Sequence, residues 1–266
     1  MEVTTAPGHA NVYGVDRWID FRMTSPGDAH ALAREVHAEG GLLSINHDKP
    51  PIPWDFEVPD ADCMEVWQSA WPMRNWISLA RWQDRLASGR RLAAIGGSDF
   101  HQPDRLLPEG PLTLGRPTTV LHLPALSEAA ILAAMKAGSG YVTESPTGPH
   151  LALFAGDTPM GGAIPAGPVA AEAQVRGAAG DSLAWIDASG PVRVVPIPAD
   201  DWSDRFLGVP RRFLRAEIVA HASRDAILGA FRAVVGDRPL PEGLGEAELA
   251  AHPVRRAICN PLYVEA

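Results

Sequence analysis

Apolar residues in the first half of the chain recur at helical spacing in some segments and form short continuous runs in others. The clearest helical segment is 25–41, where Leu32 and Val36 lie on one face. Its start carries the expected signals, since Ser25 is suited to cap the helix and Pro26 to occupy its first turn. The same reasoning predicts further helices at 75–87 and 127–137. Helical segments therefore recur through this part of the chain.

Short apolar runs between these helices predict β-strands. They span residues 42–46, 63–67, 92–95, 118–123 and 141–143. Because strands and helices alternate, this part of the chain is expected to form an α/β fold with parallel strands. In barrels of this class the reactive groups stand at the carboxyl ends of strands, so chemistry is expected there.

The pattern changes near residues 145–149, where Ser, Pro and Gly are concentrated. Beyond them, short apolar runs follow one another with turn residues between. These runs are 151–154, 171–176, 183–187, 192–197, 213–220 and 257–264. Such spacing favours an antiparallel β-sandwich, with an inserted helix predicted at 223–235. We therefore expect two units, an α/β unit over residues 1–148 and a β-rich unit over residues 149–266.

The composition is that of a globular protein, with 266 residues, 46% hydrophobic and 21% charged. The net charge of −9, without a basic run, argues against a nucleic-acid partner. Cys63 and Cys259 lie far apart and lack CxxC spacing, so neither a disulfide framework nor a thiolate zinc site is indicated. No apolar run reaches the roughly 18 residues of a membrane span. The N-terminus shows no signal-peptide pattern, so the cytoplasm is the default location.

Polar residues stand at predicted strand ends in three places. Asp99 and His101 follow one strand, and at i and i+2 of an extended backbone two side chains project to the same side. His47 ends another strand, and Glu2 and His9 lie close together near the N-terminus. Carboxylates and imidazoles together suit Zn, Mn or Fe. These five residues therefore predict a divalent metal site.

Several motifs occur in order along the chain. They are Glu-Val-Thr-Thr with Gly-His-x-Asn-Val at 2–12, Asn-His at 46–47, Gly-Ser-Asp-x-His at 97–101, Gly-x-Pro-Thr-Thr-Val at 115–120, Tyr-Val-Thr at 141–143, Gly-Pro-His at 148–150 and Asn-Pro-Leu-Tyr-Val at 260–264. In this order they resemble the PHP (polymerase and histidinol phosphatase) superfamily, and within it the CehA/McbA-like metallohydrolase branch. The resemblance covers nearly the whole chain. It implies a partial or irregular PHP-type (β/α) barrel followed by a C-terminal β-sandwich-like domain.

The resemblance also implies roles for the five polar residues. Glu2 would bridge two metals, and His9 and His47 would complete one of them. Asp99 would belong to the metal that also needs a His-x-His motif, and His101 to a third metal. One site of Glu2, His9 and His47 is thus complete, and three protein ligands with an open position are a catalytic arrangement. Glu2, His47, Asp99 and His101 are therefore the predicted catalytic residues, and one or more divalent ions the predicted cofactor.

PHP domains open with a His-x-His strand and a later Asp-His pair, and neither precedes Glu2 in this sequence. The chain is therefore expected to begin partway through the barrel. Either Met1 is an internal methionine of a longer natural protein, or the short form has lost part of its metal site. We favour the first, because an opened barrel exposes unpaired strand edges. The same exposed edge makes a homo-oligomer an expectation.

The implied chemistry is hydrolysis of a small molecule. A metal-activated water would attack a phosphoester, or the carbonyl of an ester, amide or carbamate. Lys49 and Arg105 are candidates for binding an anionic group of the substrate, and Trp54 for lining an apolar pocket. No Ser-His-Asp elbow, cysteine nucleophile or nucleotide-binding loop occurs in the sequence. The alternative is a weak or inactive remnant that acts as a scaffold or binds a ligand through its C-terminal β domain.

Overall fold

The computed structural model describes residues 1–6, 8–56, 60–101, 113–222 and 246–265, together with 225, 226, 228, 229, 232 and 236. The helices in this part of the chain are α1 (Pro26–Ala38), α2 (Asn75–Ala87), α3 (Glu128–Ala137) and α4 (Glu246–Ala251). The first three confirm the helices predicted from the sequence. The helix predicted at 223–235 lies largely outside the described residues. None of the described helices has the length and apolar character needed to cross a membrane.

Local hydrogen bonds set the ends of α1 and α3. At the start of α1, the Ser25 N–H donates to Asp28 Oδ2 at 2.9 Å, as in a capping box. At the start of α3, Ser127 Oγ accepts from the Ala130 N–H at 3.2 Å. The α3 helix ends at Gly138, whose φ of 71° is the left-handed conformation that glycine adopts without strain. The sequence therefore accounts for where α1 and α3 begin and for where α3 ends.

The first sheet carries the predicted metal-binding strand ends. Its strands are β1 (Glu2–Thr5), β2 (Gly8–Tyr13), β3 (Leu42–Asn46), β4 (Cys63–Gln68) and β5 (Ala93–Gly97), in the order β1-β2-β3-β4-β5. The strands β3, β4 and β5 are parallel, as predicted, whereas β1 and β2 add to them in antiparallel fashion. Within the described residues β1 and β5 are the two edges of this sheet, and no closed barrel forms. The fold is mixed α/β.

Two further sheets contain the other described strands. The larger consists of β6 (Thr118–Leu121), β7 (Gly140–Thr143), β10 (Ala163–Pro165), β12 (Ser182–Asp187), β13 (Gly190–Pro196), β15 (Phe213–Val219), β16 (Arg255–Cys259) and β17 (Leu262–Glu265). The smaller consists of β8 (His150–Ala155), β9 (Thr158–Pro159), β11 (Val169–Arg176) and β14 (Asp201–Gly208), in the order β14-β11-β8-β9. Apart from the short parallel pair β10–β17, the described pairings in these two sheets are antiparallel.

These strands differ from the sequence prediction in three respects. The short strands β9 and β10 fall between the predicted apolar runs. The hydrophobic pattern does not predict β14, because Phe206 is the one residue of that strand classed as buried. The apolar run at 257–264, predicted as one strand, forms β16 and β17. Asn260 and Pro261 separate them, since proline has no N–H to donate to a sheet.

The central strands of the larger sheet, β15 and β16, are buried on both faces. On one face Phe213 and Ile258 pack into the core shared with the first sheet and its helices. On the other face Leu214 and Ile218 pack into the core beneath the smaller sheet. The strand β7 pairs with β16, so the hydrogen bonding of this sheet includes strands from both sides of residue 148. The first sheet thus packs against a layer whose central strands are covered on both faces.

Candidate metal centre

Three neighbouring strands bring Glu2, His9 and His47 together. In the antiparallel pairing of β1 with β2, Thr4 lies opposite His9, so Glu2, two residues before Thr4, shares that face. On the other side of β2, His9 lies opposite Asn46, the residue before His47. One ligand atom from each of Glu2, His9 and His47 lies within 4.8 Å of the others. The predicted three-ligand group therefore exists as a spatial cluster.

The distances within this cluster are short. His9 Nδ1 is 3.6 Å from Glu2 Oε1 and 3.0 Å from His47 Nε2. The two imidazole rings meet edge to face, at an interplanar angle of 84°. Burial and the neighbouring His47 lower the pKa of His9, against the carboxylates of Glu2 and Asp99 that raise it. A lowered pKa favours the neutral imidazole, which is the form that binds metals.

Asp99 and His101 form a second group with Glu2. Their ligand atoms also lie within 4.8 Å of one another and of Glu2. His101 Nε2 is 3.4 Å from Asp99 Oδ1. The His101 side chain is 68% exposed and that of Asp99 24%, so this group lies on the solvent side of the cluster. The five predicted ligands therefore converge, with Glu2 common to both groups.

The backbone is strained at two of these residues. His47 has φ of 24° and Asp99 has φ of 49°, a region that costs a residue with a side chain about 1–3 kcal/mol. Hydrogen bonds hold both residues there. The His47 N–H donates to Glu65 Oε2 at 3.0 Å, and Gln68 Nε2 donates to Asp99 Oδ2 at 2.6 Å. Strain maintained by specific partners at the ends of β3 and β5 is typical of functional sites.

Glu65 is a residue of this site that the sequence reasoning missed. It lies in the middle of β4 and is buried, and its Oε2 is 2.9 Å from His47 Nδ1. Burial raises the pKa of Glu65, while its hydrogen bonds with His47 act in the opposite direction. The available signal was a carboxylate between the apolar residues Met64 and Val66. Such a residue must find a partner inside the protein.

The contact with Glu65 determines which nitrogen of His47 can bind a metal. When the proton of the neutral imidazole is on Nδ1, this N–H donates a hydrogen bond to the Glu65 carboxylate. The other nitrogen, Nε2, then has a lone pair directed at His9 and Glu2. Metal-binding histidines almost always use their second nitrogen in this way. The donor set and this supporting carboxylate therefore fit a divalent cation at Glu2, His9 and His47.

Two of the three predicted substrate-binding residues, Lys49 and Trp54, are buried. Lys49 is buried, and its Nζ donates to Asn75 Oδ1 at 2.7 Å. Burial lowers the pKa of Lys49 to about 7, although the charges of Glu65 and Asp99 act to raise it. Lys49 is therefore close enough to Glu65 and Asp99 for their negative charges to affect its pKa. Arg105 lies outside the described residues.

Trp54 is also buried rather than exposed in an open pocket. It packs on Gly8, where an added Cβ would stand 2.8 Å from Trp54 Cε3. Its ring meets that of Phe56 at a centroid distance of 5.8 Å. Among the described residues, Trp54 Nε1 has no hydrogen-bond partner. Trp54 therefore supports the β2 strand immediately before His9.

The loop after His47 is anchored by Asp48, which sequence reasoning did not single out. This fully buried carboxylate accepts hydrogen bonds from Arg81, from Arg85 Nη2 at 2.6 Å and from the Trp54 N–H at 2.9 Å. Both arginines lie one turn apart on α2, which is the spacing that places them on one face. The end of β3 is thus tied to a helix, so the position of His47 is well defined.

Comparison of the chain with protein-family models, with curated proteins and with solved structures finds no match. The indications of the site's chemistry therefore lie in its own geometry. That geometry consists of converging carboxylate and imidazole ligands, a buried carboxylate behind His47 and strained residues at two strand ends.

Proposed function

We propose that this protein is a metal-dependent hydrolase that uses a metal-activated water. Its substrate is a small molecule with a phosphoester bond, or with an ester, amide or carbamate carbonyl. The observation that carries the proposal is the meeting of ligand atoms from Glu2, His9 and His47 within 4.8 Å. Three protein ligands with further positions left for water and substrate are characteristic of catalytic metal sites.

The ligand chemistry favours Zn, Mn or Fe, because two imidazoles and a carboxylate form a donor set of intermediate softness. When bound, such an ion supplies an activated water and a positive charge that polarises a phosphoryl or carbonyl oxygen. Glu65 keeps His47 in the orientation and protonation state that a ligand needs. Glu2, common to both groups, would provide a ligand to an ion held by either of them.

Asp99 and His101 complete the proposed catalytic set. Gln68 fixes the Asp99 carboxylate, while the exposed imidazole of His101 lies nearer the solvent. His101 is therefore suited to exchange a proton between the leaving group and water. Lys49 is buried close enough to Glu65 and Asp99 to interact with their charges, and when protonated it adds positive charge that favours a substrate carrying negative charge.

We also propose that the first sheet and its helices are part of a PHP-type barrel, followed by a β-sandwich-like domain. In support, the candidate ligands of β3 and β5 lie at or just beyond the carboxyl ends of parallel strands. This is the position at which (β/α) barrels place their catalytic groups.

Elemental analysis of the purified chain, combined with hydrolysis assays on bis(p-nitrophenyl) phosphate and p-nitrophenyl acetate, tests the proposal. We expect at least about one Zn, Mn or Fe per chain, held by the group of Glu2, His9 and His47. His47→Ala should lose this metal and reduce hydrolysis at least about a hundredfold, because one of three ligands is removed. His30→Ala, a histidine on α1 outside the cluster, is the matched control and should change neither.

Two results would contradict the proposal. One is a metal content that His47→Ala does not alter, which would place the ion elsewhere. The other is turnover that persists after complete removal of metal by a chelator. A folded chain that neither retains metal nor hydrolyses either compound would favour the scaffold alternative.

A further inference from the structure

A second site lies on the β-rich unit, along the outer face of the smaller sheet. Two adjacent cavities of about 570 Å³ and about 270 Å³ open there. Phe154 and Gln174 line both of them, so the cavities form one elongated groove. Cavities of this combined size are in the range of small-molecule binding sites.

The smaller cavity is lined by hydrogen-bond donors. Tyr141 is buried, and its hydroxyl is 2.9 Å from His150 Nδ1. Burial raises the pKa of Tyr141, so the hydroxyl keeps its proton and can donate it to Nδ1. A neutral His150 then carries its own proton on Nε2. His122 and Arg176 line the same cavity.

Charge also favours an anionic group in the smaller cavity. Arg176 lies opposite His150 in the pairing of β8 with β11. Its Nε is 3.8 Å from Asp201 Oδ2, but both side chains are largely exposed, and such ion pairs are weak. Among the described residues that line this cavity there is no carboxylate, although the chain carries a net charge of −9. A guanidinium with neighbouring N–H donors is complementary to a carboxylate.

The larger cavity combines polar and apolar surfaces. Glu172 accepts hydrogen bonds from Gln174 Nε2 at 3.1 Å and from Arg205 Nε at 3.2 Å, so the three polar side chains form a row along the cavity. Leu207, which is exposed, and Phe154 provide apolar surface beside this row. Hydroxyl groups, which both donate and accept, match such a row. The C–H face of a sugar ring matches the apolar side chains.

The backbone of this face argues against a bound peptide strand. The strand β11 forms the floor and pairs with β14 on one side and β8 on the other. Its main-chain groups are therefore engaged, whereas peptides that add to a sheet need a free edge. Recognition here must use side chains alone.

We infer that this groove binds an oligosaccharide that carries a carboxylate. The carboxylate lies in the smaller cavity near Arg176 and His150, and the neutral sugars lie along the larger cavity. This inference does not depend on the proposed hydrolase activity, since it uses none of the candidate metal ligands.

Calorimetric titration of the full chain tests the inference with two matched probes. They are a xylotriose that carries one glucuronate branch and the neutral xylotetraose. The acidic probe should bind about tenfold more tightly, because one charge-assisted interaction distinguishes the two. Arg176→Ala should remove this difference, whereas Arg34→Ala, an exposed arginine on α1, should preserve it. Gln174→Ala should weaken both probes, since Gln174 lines both cavities.

Circular dichroism and thermal unfolding of each variant establish that it is folded. Equal affinity for the two probes would overturn the carboxylate assignment, and no binding of either would overturn the site. A hexaglutamate peptide that binds more tightly than the acidic saccharide would overturn the choice of ligand class. Preference for the acidic probe that Arg176→Ala removes in a folded protein would support the inference.

Discussion

At the scale of single residues, the candidate metal centre depends on a carboxylate that is not among its predicted ligands. Glu65 accepts from both the backbone N–H and the ring of His47. It thus maintains a strained backbone and an imidazole orientation at the same time. Gly97 on β5 makes room for it, because a Cβ there would stand 2.7 Å from Glu65 Oε1.

Glu65→Gln should separate metal binding from folding. Glutamine has the same shape and its Oε can still accept from His47, so the fold is expected to persist. Loss of the negative charge should weaken zinc affinity about 10–100-fold, the usual effect of removing a carboxylate behind a metal-binding histidine. A zinc competition titration with a fluorescent chelator measures the change.

The control for this variant is Glu39→Gln, an exposed glutamate that pairs with Arg17 at the end of α1. It should leave zinc affinity unchanged. If Glu65→Gln bound zinc as tightly as the unmodified chain, the charge of Glu65 would not contribute to zinc binding, and its role would be limited to the fold.

Some residues of the candidate site could be predicted from the sequence, and one could not. Asp99, His101 and His47 were predictable because polar side chains after apolar strands stand where strand ends meet. Glu65 was not, because a single charge within a strand predicts a buried partner without naming it. The partner, His47, lies 18 residues away and becomes its neighbour only when β3 and β4 pair.

At the scale of elements, regular local patterns were predictive and long-range pairings were not. The helix α2 occupies the predicted residues 75–87, since its apolar spacing is a local property. The antiparallel addition of β1 and β2 to three parallel strands depends on pairing, and alternation of helices and strands does not encode it. The strand β14 was not predicted, because it contributes little apolar surface to the core.

Asn260 joins two elements that belong to different sheets. Its Oδ1 accepts from the Ala94 N–H at 2.6 Å, and its Nδ2 donates to the carbonyls of Ala94 and Gly140 at 3.1 and 3.0 Å. The side chain is fully engaged and buried between β5 and β7. It therefore links the sheet that carries Asp99 to the layer beneath.

Asn260→Ala should lower the free energy of unfolding by at least about 2 kcal/mol, because it leaves the buried N–H and carbonyl of Ala94 without their partner. The Gly140 carbonyl keeps a hydrogen bond from the backbone N–H of residue 260. Urea denaturation followed by tryptophan fluorescence measures this loss. Ser203→Ala, at an exposed position of β14, is the control and should stay within about 0.5 kcal/mol of the unmodified chain. An equally small effect of Asn260→Ala would show that water or backbone movement satisfies those groups.

At the scale of the whole molecule, a buried charge network lies where α2 meets the larger sheet. Glu217 and Arg215 are buried neighbours on β15, and Arg255 Nε donates to Glu217 Oε2 at 2.6 Å. Arg215 also donates to Gln83 Oε1 of α2 at 2.8 Å and lies over the Trp82 ring. The network therefore connects the layer that carries the candidate metal centre to the β-rich unit.

Glu217→Gln should be among the more destabilising single changes, because it leaves two arginines facing a neutral group in the interior. Removal of one partner from a buried ion pair costs about 3–5 kcal/mol. Glu35→Gln, which removes the charge from a half-exposed pair with Arg17, is the matched control and should cost at most about 1 kcal/mol. Urea denaturation at pH 7 compares the two.

The pH dependence of this difference gives an independent test of the network. Burial acts to raise the pKa of Glu217, but the charges of Arg255 and Arg215 outweigh it and lower the pKa from its ordinary 4.5 to about 2. A group whose pKa is lowered by folding stabilises the native state above its unfolded pKa, and this contribution disappears as the pH falls through the folded pKa. The gap in unfolding free energy between Glu217→Gln and the unmodified chain should therefore be full at pH 7 and clearly smaller at pH 3. A gap that stayed constant over this range would show that Glu217 stabilises the protein by its shape and hydrogen bonds, and not by its charge.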